Sequence, residues 1–175
     1  MLSGVSEYFW VNLLGFNLLW SLSVFYGDQT LAFVSILLIL NIFFHSSPVS
    51  EMVIIGLAGA IGYAVDSVLM QQGIFAFGSG LFDASWGLAP AWLLLLWFGF
   101  CATLRQSLRF FANHLGLSAL VGAVVGSLTY LLASALGAVV FPLSSVVTVL
   151  MLAAIWAVLF PLLLWVSRFV GGAYA

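Results

Sequence analysis

Long apolar runs that are almost empty of charge are the feature that most constrains this chain. Only 5% of its 175 residues are charged and 65% are hydrophobic, whereas soluble domains have about 25% charged residues. A helix that spans a membrane needs about 20 mostly apolar residues. The sequence therefore excludes a water-soluble fold and predicts an all-α, polytopic bundle of transmembrane helices.

Six apolar runs are bounded by charges, proline, glycine or asparagine. We predict about six spans in a single integral membrane domain of residues 1–175, at approximately residues 8–26, 31–45, 52–70, 90–109, 115–140 and 142–168. The second run is short for a span, so five spans and a re-entrant segment are the alternative. The residues before the first run lack a basic region and a small-residue cleavage site, which favours a retained helix over a signal peptide.

The orientation follows from the arginines, which are the only basic residues apart from two histidines. Arg105 and Arg109 end the fourth run, and Arg168 ends the sixth. Because positive residues favour the cytoplasmic side, we predict that these ends and both termini are cytoplasmic. We interpret the arginines as anchors that reach the interface; the alternative is a site for an anionic lipid headgroup, with Glu51 as its counter-ion.

Residues 71–89 are too polar to span and too apolar for an ordinary loop. Their aromatic side chains alternate with Gly and Ser and include Phe75, Phe77, Phe82 and Trp86. Such residues favour the membrane interface, so we predict an interfacial loop on the outer side. Loops of this length are often lids, and a lid over a binding site is the alternative.

Asp66 is the most informative single residue, because an ionisable group within a span is costly and usually faces the bundle interior. Helical rise places it in the outer half of the membrane, level with Tyr63, Trp20, Trp97 and Tyr130. Our hypothesis is that these residues bind a ligand in one cavity, covered by residues 71–89. The alternative is a structural role, in which Asp66 is hydrated near the interface or bonds to Tyr130.

Gly122 and Gly126 form a GxxxG motif in the fifth run. Small residues at this spacing let helix backbones approach closely. We predict helix packing within the chain, with homodimerisation as the alternative.

Other function classes lack the residues they need. The single cysteine, Cys101, excludes disulfides, and the acidic balance of charges offers no face for nucleic acid. We expect no metal and no cofactor, because His45 and His114 have only Glu51 as a nearby acid. No residue is assigned a catalytic role, and the sequence leans against an enzyme.

Several segments together resemble an uncharacterised bacterial inner-membrane protein family, domain of unknown function 2878. The resemblance covers nearly the whole chain and includes Asn17-Leu-Leu-Trp20, Gly62-Tyr-Ala-Val-Asp66-Ser67, Ala89-Pro-Ala-Trp92 and Gly126-Ser-Leu-Thr-Tyr130. It implies location in the bacterial inner membrane and a role in membrane-lipid modification. We therefore expect a binding or accessory protein whose partners are membrane lipid, a small apolar ligand, and a membrane partner protein or a second copy. A small transporter or its substrate-capturing subunit is the first alternative, and an intramembrane enzyme is the second.

Overall fold

The computed structural model describes residues 8–78, 81 and 86–173, and these residues are mainly helical. The α-helices are α1 (Phe9–Tyr26), α2 (Leu31–Phe43), α3 (Pro48–Gln71), α4 (Ala91–Cys101), α5 (Leu115–Val121), α6 (Ser127–Ala135) and α7 (Ser145–Ala173). Two short strands, β1 (Ala76–Phe77) and β2 (Val139–Val140), pair antiparallel. The all-α class is confirmed.

Four helical segments are long and apolar enough to cross a membrane: Phe9–Phe43, Pro48–Gln71, Leu115–Ala135 and Ser145–Gly172. The first contains both α1 and α2, and α4 is an apolar helix of only 11 residues. The predicted count of six spans is therefore not established by helix length, because α2 and α4 are each shorter than a full span.

The segment Phe9–Phe43 is a hairpin and not one long helix. Gly27 has a φ of 54°, which glycine adopts readily, and it is the first residue of the 3₁₀ turn Gly27–Thr30. Leu19, Val34 and Leu38 belong to one buried cluster. In a straight helix Leu19 and Leu38 would lie about 28 Å apart. The chain therefore reverses after α1, and α2 runs back along it.

The fourth predicted helix, residues 90–109, ends early. Its α-helix stops at Cys101, turns follow, and a 3₁₀ helix spans Arg109–Asn113. Asn12 of α1 binds this region: its Nδ2 donates to the carbonyl of Ala102 at 2.9 Å, and its Oδ1 accepts from the Ser107 hydroxyl at 2.7 Å. A buried backbone needs partners where a helix ends. Here a side chain distant in sequence provides one of them.

The fifth predicted helix, residues 115–140, also differs from the structure. Between α5 and α6 the chain forms a π-helical turn, Gly122–Gly126, and helix ends at Ala135. Gly137 then has a φ of 83°, which lets the chain leave the helix and pair as β2 with β1. Residues 76–77, predicted as part of an irregular interfacial loop, therefore belong to a small sheet.

The contacts define two ends of the bundle. At one end, Asp28 in the turn after α1 accepts a hydrogen bond from the backbone N–H of Trp92, at the start of α4, at 3.0 Å. We name this the hairpin end. At the other end, Arg168 near the end of α7 donates to the carbonyl of Ala112 at 2.5 Å. We name this the arginine end.

Candidate functional site

A cavity of about 380 Å³ lies between α1, α4, the α5–α6 segment and α7. Exposed side chains, Asn17, Val125 and Leu132, are among the residues that line it, so the cavity opens to the side of the bundle. Within the described part of the chain, its lining contains no Asp, Glu, Lys, Arg or His. We call this cavity the aromatic groove, after seven of its lining residues: Phe16, Trp20, Phe77, Trp92, Trp97, Phe100 and Trp156.

Stacked aromatic rings form the floor of the groove. Trp97 of α4 stacks on Trp156 of α7, with ring centroids 5.4 Å apart and planes 10° apart. The ring of Phe100 meets both indoles edge-on, at 5.8 Å and 5.6 Å. Trp97 and Phe100 are one helical turn apart and so share a face of α4. Each such pair adds about 0.5–1.5 kcal/mol beyond the area it buries, so the ring contacts stabilise the floor.

Glycine lets the second wall approach this floor. A Cβ at Gly122 would lie 2.5 Å from the carbonyl oxygen of Trp156 and 2.9 Å from Cβ of Phe160. A Cβ at Gly126 would overlap the indole of Trp156. The GxxxG face therefore packs against α7 of the same chain.

Asp66 lies behind the groove and accepts hydrogen bonds from two residues that line it. Its side chain is 1% exposed and is not among the lining residues. Trp97 Nε1 donates to Asp66 Oδ2 at 2.7 Å, and the Tyr130 hydroxyl donates to the same oxygen. A buried carboxylate without partners costs several kcal/mol. The two bonds satisfy Asp66 Oδ2 and orient the rings of Trp97 and Tyr130, which do line the groove.

Gly62, one turn before Asp66, makes room for this arrangement. A Cβ at Gly62 would overlap the indole ring of Trp97. The small residue and the carboxylate thus act together on one face of α3: the first admits the indole and the second binds its N–H.

The hairpin end closes one end of the groove. Phe77 of β1 and Val139 of β2 line it, and Phe75, which is fully buried, packs on Tyr130 with ring centroids 5.3 Å apart. Trp86 is 68% exposed, and Phe82 lies outside the described residues. Of the predicted lid residues, Phe77 thus lines the groove and Phe75 supports it.

Tyr63 connects α3 to the segment before α4. Its hydroxyl donates to the carbonyl of Ala89 at 2.5 Å, and the N–H of Ala89 donates to Ser67 Oγ at 3.2 Å. These bonds attach the segment before α4 to α3. Tyr63 does not line the groove.

The structure thus divides the five residues predicted to bind a ligand. Trp20, Trp97 and Tyr130 line the groove, whereas Asp66 and Tyr63 support residues around it. Ligand binding by these residues stays a prediction. Sequence reasoning missed Phe100, Trp156 and Phe160. The signal that could have found them is the spacing of aromatic residues along each helix, three residues from Trp97 to Phe100 and four from Trp156 to Phe160.

A second polar cluster is buried toward the arginine end. Glu51 is fully buried, and its Oε2 lies 3.4 Å from His45 Nε2 and 3.6 Å from Arg105 Nη1. Arg105 also donates to Ser50 Oγ at 3.1 Å. The N–H of Ser47 donates to His45 Nδ1, and Nε2 of the same ring lies 2.8 Å from the side-chain amide nitrogen of Gln106. Among the described residues no group of three or more His, Cys, Asp or Glu could hold a metal.

The three arginines therefore differ. Arg105, whose side chain is 32% exposed, pairs with the fully buried Glu51. Arg168 binds the carbonyl of Ala112 and the side chain of Asn113. Arg109 is exposed. Anchoring and lipid headgroup binding both stay predictions for these residues.

Comparison with known proteins identifies the family. No curated protein and no solved structure matches the chain. A family model described as protein of unknown function (DUF2878) matches residues 9–162, which include every residue that lines the groove. The chain therefore belongs to the DUF2878 family, as the sequence resemblance indicated.

Proposed function

We propose that this protein crosses the membrane six times and binds an uncharged lipid, or another apolar molecule from the bilayer, in the aromatic groove. The observation that carries the proposal is the groove itself: about 380 Å³, lined by aromatic rings, without a charged lining residue in the described chain, and open sideways. Its volume lies within the range typical of small-molecule sites. Such a protein would serve as an accessory protein in membrane-lipid modification.

The membrane arrangement has its own support. The hairpin of α1 and α2 brings the chain back to the side from which it started, and the short α4 is followed by turns that continue toward the arginine end. Six passes then place the start of α1 and the end of α7 at the arginine end, and we propose that both termini are on that side of the membrane. Because arginines favour the cytoplasmic side, we place that end in the cytoplasm of a bacterial inner membrane.

The surroundings of the groove support an occupant from the bilayer. Residues next to its rim, such as Leu14 of α1 and Leu128 of α6, are apolar and at least 49% exposed. A molecule that moves in the membrane would therefore reach the groove without crossing water. Lipid tails gain little hydrophobic energy by leaving other lipid tails, so selective binding must depend on shape and aromatic contacts.

A transporter is less well supported by the same geometry. It would need a polar, hydrated path around Asp66, but Asp66 is almost fully buried and accepts bonds from Trp97 and Tyr130. The same bonds weaken the enzyme alternative. The Tyr130 hydroxyl proton is directed at Asp66, and Asp66 does not line the groove.

A matched pair of substitutions tests the proposal. Leu132 and Leu128 are both on α6 and are 50% and 49% exposed, but only Leu132 lines the groove. We expect Leu132→Trp to fill part of the groove and to reduce co-purifying lipid several-fold, measured by native mass spectrometry after gentle extraction. Leu128→Trp should retain lipid as the unmodified chain does. Equal retention by the two variants would contradict the proposal.

A further inference from the structure

We infer that the molecule bound in the aromatic groove carries an uncharged hydrogen-bonding group within its apolar body, and that Asn17 binds this group near the middle of the membrane. The inference rests on the proposed function and makes the ligand class more specific. Candidate ligands are neutral lipids with a mid-chain hydroxyl, carbonyl or ring oxygen.

The position of Asn17 is the first step. It lies eight residues after the start of α1 and nine before its end, which places it about 12–14 Å from each end along the helix axis. The hydrocarbon core of a bilayer is about 30 Å thick. If α1 spans the membrane, Asn17 is therefore close to the midplane, beyond the reach of interfacial water.

The hydrogen bonds of Asn17 are the second step. One N–H of its amide donates to the carbonyl of Leu13 at 2.8 Å, as part of its own helix. Within the described residues, the amide oxygen and the second N–H have no partner. Asn17 is exposed and lines the groove. A polar group without partners is costly in an apolar medium, so a ligand that satisfies it is favoured over a saturated chain.

The neighbouring residue Trp20 adds a second donor. It lies one turn from Asn17 on the same face of α1 and also lines the groove. Its indole N–H has no hydrogen-bond partner among the described residues. A hydroxyl can both donate to the Asn17 oxygen and accept from an N–H, and so fits this pair better than a group that only accepts.

The charge of the ligand is the third step. An ionised group in an apolar site needs a partner of opposite charge, and the described lining provides none. The part of the ligand inside the groove is therefore uncharged. A phosphate headgroup, if present, would lie outside it.

Two uncharged probes that differ by one hydroxyl test the inference: methyl stearate and methyl 10-hydroxystearate. We expect the purified protein in lipid nanodiscs to retain the hydroxylated ester about three- to tenfold better, the ratio that one net hydrogen bond gives. Retention is measured by native mass spectrometry with both esters in competition. Equal retention of the two esters would overturn the inference, even before any variant is made.

A composition-matched swap then assigns the preference to Asn17. Asn17→Leu should abolish the preference, so that the two esters are retained in equal amounts. Asn17→Leu combined with Leu14→Asn moves the amide to an exposed position outside the groove, and should not restore the preference. Asn17→Gln, which keeps an amide, should restore part of it. A preference that survives in the swap variant would refute the role of Asn17.

Leu132→Trp separates the two levels of the proposal. Suppose that the unmodified chain retains both esters equally and that Leu132→Trp retains neither. The groove then binds lipid, and only the inference about Asn17 fails. If the unmodified chain retains neither ester, and Leu132→Trp and Leu128→Trp retain equal amounts of lipid, the proposed function fails as well.

Discussion

At the scale of single residues, Asp66 shows how one buried acid organises three helices. It lies on α3 and accepts hydrogen bonds from Trp97 of α4 and Tyr130 of α6. An acid within a span is expensive and is usually interpreted as functional. Here its two bonds make it a positioning residue, whose effect on the groove is transmitted through two aromatic rings.

The first residue-scale prediction concerns stability. Asp66→Leu would leave a buried N–H and a buried hydroxyl without partners, at a cost of about 1–3 kcal/mol each. Asp66→Asn keeps an oxygen that can accept both bonds and should cost much less. We therefore expect thermal unfolding in detergent at a clearly lower temperature for Asp66→Leu than for Asp66→Asn.

A double variant serves as its control. Tyr130→Phe removes one of the two stranded donors, so Asp66→Leu with Tyr130→Phe should be less unstable than the sum of the single changes. Buried charged groups can often be replaced by leucine at no cost. If Asp66→Leu unfolds at the wild-type temperature, Asp66 is one of these replaceable groups, and the positioning role is contradicted.

At the scale of elements, the α5–α6 segment is a helix shaped by the helix it contacts. Its π-helical turn coincides with the glycines that pack against Trp156. Ser127, directly after the turn, donates back to the carbonyl of Ala123 at 2.6 Å, which satisfies a carbonyl in the widened turn. Residues 115–135 therefore form the wall of the groove that follows α7 most closely.

The element-scale prediction uses the glycines of this segment. Gly122→Ala and Gly126→Ala should each lower the unfolding temperature, because the added methyl would overlap atoms of Trp156. The leucine variants should lower it further. Gly116→Ala is the control, since nothing lies within 4 Å of its Cβ position. Equal unfolding temperatures for Gly126→Ala and Gly116→Ala would show that this contact is not close.

At the scale of the whole molecule, hydrogen bonds join distant segments of the chain at both ends of the bundle. Contacts at the hairpin end join the turn after α1 to the start of α4, and β1 to β2. Contacts at the arginine end join Asn12 to the residues after α4, and Arg168 to Ala112. In the proposed arrangement, the membrane normal runs from one of these ends to the other.

The molecular-scale prediction is a topology. Reporters fused after His114 and after Ala175 should be cytoplasmic, and reporters after Gly73 and after Gly137 should be external. The reason is that the six-pass proposal places the arginine end, where α7 ends, in the cytoplasm and the hairpin end outside. Paired fusions to alkaline phosphatase and to a fluorescent protein measure this. The two sites expected in the cytoplasm must give the same result, and so must the two sites expected outside. An external reporter after Ala175 would contradict the six-pass arrangement.

The sequence by itself determined the helical class, the positions of the apolar segments and the importance of several single residues. Hydrophobicity and charge are local properties, so they mark the helices α1, α3 and α7 to within a few residues. They also single out Asp66 and Gly126, because an acid and a small-residue motif are conspicuous in an apolar run.

Only the tertiary structure decided how these parts combine. The end of α4 depends on Asn12, which is 90 residues away from its partner Ala102. The strand pair depends on two segments more than 60 residues apart, and each would be too short to form alone. Whether Asp66 faces a cavity or lies behind its wall depends on where Trp97 and Tyr130 meet it. These are long-range contacts, and periodicity along a single helix carries no information about its partner.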